Sequence, residues 1–145
     1  MKRLMYAFVF LVGVAVAGTP AFAQQSGGLR VEFQGPGGHS SGAYGRVSAL
    51  HAAARAVILI QKALPAGSFQ ITNLTGGNSV NSIASDGLIE LKLTAANAKA
   101  YQELVAAVTK AAAEGAAAEN AFRGVKDGDL TSGAPATVRS SVTKF

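Results

Sequence analysis

Leu29 to Gln34 alternates apolar and polar side chains, Leu-Arg-Val-Glu-Phe-Gln, and that period of two predicts a half-buried strand. The period then breaks. Gly35 to Gly45 holds five glycines and a proline, which predicts a loop and excludes a helix interior. From Arg46 to Leu64 apolar residues return at helical spacing (Val47, Leu50, Ala54, Val57, Leu64), and Pro65-Ala66-Gly67 ends that helix. Ser68 to Thr75 predicts a second strand, and Gly76 to Ser85 a second glycine- and asparagine-bearing loop. Leu88 to Leu93 predicts a third strand, antiparallel to the second, with Ile89, Leu91 and Leu93 on one face. Asn97 is suited to cap a second helix, whose buried stripe runs through Tyr101, Leu104, Val105, Val108, Ala112 and Gly115. Ala111 to Ala118 offers little to bury, which predicts a fraying end. Thr137 to Thr143 is the candidate fourth strand.

The order strand, helix, strand, strand, helix, strand predicts an α+β fold. It is the split βαβ, or ferredoxin-like, arrangement: a four-stranded antiparallel sheet with both helices on one face. The other face then needs a surface that tolerates water, or a partner.

Met1-Lys2-Arg3, an apolar run from Leu4 to Ala17, the Thr19-Pro20 break and Ala21-Phe22-Ala23 have the layout of an export signal cleaved after Ala23. The expectation is a secreted or periplasmic chain with no stable membrane anchor after cleavage. The expected organisation is a signal over 1–23, a linker over 24–28, one domain over 29–120 and a tail over 121–145. Beyond Ala23, eleven basic residues stand against eight acidic ones, a net charge of +3. The basic residues are scattered and lack interleaved aromatics, so no nucleic-acid partner is expected.

The inventory of reactive side chains is short. There is no cysteine, so disulfides and cysteine-ligated zinc are excluded, and the histidines are His39 and His51 alone. A two-metal hydrolase needs several ligands converging on two ions. Here the eight carboxylates are isolated and the two histidines lie in different elements, so neither a metal site nor a cofactor is expected. Ser40 and Ser41 beside His39 do not make a triad, which is a matter of geometry and not of adjacency. The first glycine loop lacks the Gly-Lys-Ser/Thr of a phosphate cradle. His51 reads as a boundary residue of the first helix. His39, after two glycines and before two serines, sits where backbone amides are open.

Three stretches in order carry a resemblance: Gly35-Pro36-Gly37-Gly38-His39-Ser40-Ser41, then Val47 to Ala56, then Gly76-Gly77-Asn78-Ser79-Val80-Asn81-Ser82-Ile83-Ala84. Together they resemble the dimerisation, or lid, domain of a two-zinc metallopeptidase family. That family includes aminoacylases, succinyl-diaminopimelate desuccinylase and tripeptide aminopeptidases. The resemblance runs from about Leu29 to Asn120. It implies a domain that makes the dimer while a separate catalytic domain holds both zincs. It also implies that His39 reaches the active site of the opposite subunit to polarise the scissile carbonyl, and that Asn81 contacts substrate. Ala84 and Thr94 stand where the family usually has a proline and an arginine.

The expectation is therefore an exported, stand-alone, non-catalytic domain that acts by protein–protein association as a homodimer. The alternatives are a regulatory or complementing partner of an intact two-zinc metallopeptidase, or a truncated remnant of one. In a split βαβ sheet the second strand lies at an edge, and an uncharged edge invites pairing with a second copy. The expected interface is Phe69, Ile71 and Leu74 on that strand, with Ala52 and Ala56 letting a second helix approach.

Overall fold

The computed structural model describes residues 23–145. The expected export signal lies, apart from Ala23, outside the described residues. In chain order the elements are β1 (Gln25–Gln34), β2 (Gly38–His39), α1 (Ser40–Ala43), α2 (Ala49–Ala63), β3 (Phe69–Thr75), β4 (Ser82–Ile83), β5 (Asp86–Ala95), α3 (Ala98–Arg123), β6 (Leu130–Thr131), β7 (Ala134–Pro135) and β8 (Arg139–Lys144). The long strands form one sheet in the order β3-β5-β1-β8, antiparallel throughout. This is the split βαβ architecture that the order of elements predicts.

Register explains the core. Leu29 lies opposite Leu91 and Val31 opposite Ile89, and all four are fully buried beneath the helices. Their neighbours in sequence face the other way, where Arg30 meets its cross-strand partner Glu90 at 2.7 Å. That pair holds the Glu90 carboxyl below its usual pKa, through the hydrogen bond from Arg30 first. The outer face is thus charged and tolerates water. The sheet gives the core its large side chains. The helices give it Ala49, Ala52, Ala53, Ala56, Ala111, Ala112 and Ala116, so they settle close to the sheet and to each other.

Ends and interruptions of the elements depart from expectation. β1 begins at Gln25, so residues 25–28 are strand and not linker. Gly27 leaves room for the Tyr101 hydroxyl, and Gly28 exchanges backbone hydrogen bonds with Phe145 at 3.3 and 3.1 Å. The first glycine loop contains the single turn α1. α3 does not fray at Ala111 to Ala118 but continues to Arg123, because Gly115 lets α2 approach within van der Waals contact. Gly124, at φ 69°, then ends it, with hydrogen bonds from Gly124 N to Ala121 O and from Val125 N to Asn120 O. The segment after Asn120 is part of the fold. β8 pairs with β1 from Arg139 to Lys144, and the Asn120 side chain grips the Val138 backbone at both its N–H (2.8 Å) and its C=O (3.0 Å). No helix among the described residues is long and apolar enough to cross a membrane.

Candidate functional site

The two glycine loops meet. β2 pairs with β4, placing His39 opposite Ser82, and the Ser40 N–H donates to Asn81 O at 2.9 Å. This stitching brings together His39 and Asn81, which are 42 positions apart: the Asn81 carboxamide lies 3.1 Å from His39 Nε2. On the ring's other side the Ser41 N–H donates to Nδ1 at 3.2 Å, and Ser41 Oγ lies 2.8 Å away. A backbone N–H can only donate, so Nδ1 accepts and the neutral ring carries its proton on Nε2. Nε2 is then a donor, and the Asn81 carboxamide, whose Nδ2 faces the ring, meets it with an acceptor once it is flipped end for end. Ser79 steadies that carboxamide from behind through its hydroxyl. Both side chains are exposed, so a ligand oxygen replacing Asn81 would find an aimed N–H donor.

The expected interface residues divide. β3 is an edge strand, bonded to β5 alone. Phe69, Ile71 and Leu74 lie opposite Leu93, Leu91 and Ile89, on the core side. Their spacing of two and then three residues is accommodated by a bulge at Thr72, whose Oγ1 donates to Glu90 O at 3.1 Å. Phe69 and Ile71 are half-buried against the core, whereas Leu74 remains 43% exposed. Ala52 and Ala56 do not belong to an interface surface. Both are fully buried, with Gly115 of α3 packed on them, so the close helix approach they permit is made inside the chain. Helical geometry puts Leu50, Ala54, Val57 and Gln61 on the opposite flank of α2, toward β3, with the half-exposed Ile58 on the solvent side.

Glu119 is the residue that sequence reading missed. It is fully buried, yet none of its oxygens is orphaned. Oε1 accepts from Ser48 N (3.1 Å) and Arg123 Nε (3.3 Å), Oε2 accepts from Arg55 Nε (3.1 Å), and His51 Nδ1 lies 3.7 Å away. The half-exposed ring of Phe122 carries the Arg55 and Arg123 guanidiniums at 5.1 and 4.9 Å. The signal was present. The stripe Val108, Ala112, Gly115 continues one turn further to Glu119. Among the described residues no three of His, Cys, Asp or Glu converge as a metal would require.

Comparison with known proteins agrees with this architecture. No curated protein sequence matches the chain. Among solved structures, the aminobenzoyl-glutamate utilization protein of Klebsiella pneumoniae superposes with a TM-score of 0.61 at 16% identity, covering 88% of this chain and 31% of that one. A tripeptidase of Staphylococcus aureus gives 0.60 at 16% identity, covering 83% and 29%. A hydantoinase/carbamoylase family amidase of Burkholderia ambifaria gives 0.61 at 18% identity, covering 86% and 28%. The chain thus spans less than a third of the length of these proteins, and at such identities the likeness is one of fold. The family described as the peptidase dimerisation domain matches residues 24–120, two thirds of the chain, and the protein belongs to that family.

Proposed function

We propose that the protein works by association, as an exported, non-catalytic domain that pairs with a second copy of itself along β3 and the adjoining flank of α2. The observation that carries this reading is the asymmetry of the two sheet edges. β8 carries Arg139 and Lys144, charges that discourage pairing, while the seven residues of β3 include neither charge nor proline. Two-fold antiparallel pairing of β3 with its copy would join two sheets into one and bring Leu50, Ala54 and Ile58 of each α2 to the seam. The same edge offers a second partner: the corresponding strand of an intact two-zinc metallopeptidase. The His39–Asn81 pairing favours keeping that reading, since a domain serving only as a connector has no use for an aimed, exposed imidazole N–H.

Sedimentation of the purified protein tests the reading. A dimer is expected at micromolar concentration. Thr72→Lys at the exposed bulge and Ile58→Lys on α2 should convert it to monomer while the far-ultraviolet circular dichroism of the folded chain is kept. Ile71 is unsuitable for this purpose, because it packs against the core. A strict monomer that neither co-elutes with a peptidase of this family nor alters its activity would refute association through this edge.

A further inference from the structure

Beneath the second glycine loop, the N-terminus of α2 and the last turn of α3 enclose a concavity of about 520 Å³. Arg46, Arg123 and His51 line it, no carboxylate does, and Leu50, Val80 and Ile83 supply an apolar wall. The second glycine loop, from Gly76 to Val80 and on to Ala84, forms one side of it, but neither His39 nor Asn81 lines it.

Charge does not cancel here. The single carboxylate of Glu119 is spent on Ser48, Arg55 and Arg123, so it does not offset Arg46, whose partners are Gly37 O and Ser132 Oγ. The two guanidiniums of the concavity are also held in place. Arg46 Nη1 donates to Gly37 O and Nη2 to Ser132 Oγ, each at 3.2 Å, tying together the first glycine loop and the β6–β7 turn. Arg123 donates to Glu119 through Nε and rests on the Phe122 ring, which leaves its terminal amino groups as free donors among the described residues. His51 is 60% exposed and presents Nε2 on the side away from Glu119. Guanidiniums fixed before a ligand arrives lose little entropy on binding, and their planar forks suit carboxylate and phosphate oxygens.

We propose that this concavity binds a small organic anion, with its carboxylate or phosphate group on Arg46, Arg123 and His51 and its apolar part against Leu50, Val80 and Ile83. All of these groups belong to one chain, and of them only Leu50 also belongs to the seam proposed along β3 and α2.

The test is a nitrogen-15 NMR titration of the purified protein with N-acetylleucine, its uncharged analogue N-acetylleucinamide and inorganic phosphate. N-acetylleucine is expected to shift the Ser48, Asn78 and Ser79 amides saturably, and the analogue to bind at least about tenfold more weakly, the worth of a charged hydrogen bond. Tighter binding of phosphate than of N-acetylleucine at the same amides would assign the site to phosphate compounds; the reverse order would assign it to carboxylates. Arg46→Gln should weaken binding about tenfold. Val80 is fully exposed, so charges placed there leave folding alone. Val80→Glu should weaken the anion and Val80→Lys strengthen it. No saturable shift, an equal response to the uncharged analogue, or indifference to both Val80 variants would overturn the proposal.

Discussion

Glu119 accepts a hydrogen bond from the backbone N–H of Ser48 at 3.1 Å, across 71 positions of sequence. Ser48 caps α2, and its hydroxyl accepts the His51 N–H three residues on. In a capping box the residue at that third position returns the bond with its own carboxylate. Here it is a histidine, and the carboxylate comes from α3 instead. One side chain thereby finishes the start of α2, fixes the end of α3 and ties down two arginines. Glu119→Ala should cost about 3–5 kcal/mol, the range for removing one partner of a buried ion pair. Urea denaturation would show this as a lowered midpoint. Glu119→Gln, which keeps an acceptor for Ser48 but not the charge, should fall between the variant and the parent.

Gly115 sets the distance between the helices. A Cβ there would stand 2.8 Å from Ala52 O, Ala56 N and Ala56 Cβ. Helix propensity alone favours Gly115→Ala by roughly 1 kcal/mol. Crowding opposes it by about 1–3 kcal/mol, and two of the three obstacles are backbone atoms that cannot turn aside. Net destabilisation is expected from Gly115→Ala and loss of folding from Gly115→Leu, read by thermal melting.

Asn120 acts as a two-pronged partner for Val138, standing in for the strand that would otherwise satisfy its N–H and C=O. Asn120→Ala leaves both groups unpaired in a partly buried place and should cost about 1–3 kcal/mol. Amide exchange at Val138 and along β8 should speed up while the protection of β5 is kept. Uniform loss of protection would instead show that β8 and the rest of the sheet open together.

What the sequence disclosed follows from what the backbone enforces locally. Alternation in β1 and β5 and the stripe of α3 are consequences of strand and helix periods, so they were readable before any contact was known. The role of Ala52 and Ala56 was not, because a small side chain looks the same whether it admits a helix of its own chain or of another. The core-facing placement of Leu74 depends on a bulge at Thr72, for which no turn residue gives notice. A lone glutamate in a run of alanines reads as a solvated position, and only its place on the stripe reveals that Glu119 is inside. For His39 and Asn81, resemblance named both residues, but their mutual contact arises from the pairing of β2 with β4, two strands too short to announce themselves.

Glu90 gives a pH dependence whose sign follows from its partner. The Arg30 hydrogen bond favours the ionised carboxylate in the folded chain and holds its pKa below the unfolded value. The stabilisation is therefore present above the unfolded carboxylate pKa and is lost as pH falls through the lowered folded pKa. Arg30→Gln should raise the Glu90 midpoint in a carboxyl carbon-13 titration. It should also reduce stability near neutrality while leaving it unchanged at strongly acid pH. A Glu90 midpoint that stays in place would mean that another group, such as Asn73 at 3.4 Å, sets the shift.

The tautomer of His39 follows from the direction of a single hydrogen bond. Ser41 N–H can only donate, so the neutral ring should be the Nε2–H form, and the ring nitrogen-15 shifts of that neutral form should report Nδ1 as the bare nitrogen. Asn81→Ala removes the carboxamide at Nε2 without touching Nδ1. It should leave the tautomer unchanged and free the ring to swing, seen as broader or averaged His39 signals. A ring that becomes Nδ1–H in the parent protein would reverse donor and acceptor in the pair. His39 would then offer a ligand a lone pair in place of a proton, and the carbonyl-polarising role that the resemblance implies would be closed to the neutral side chain.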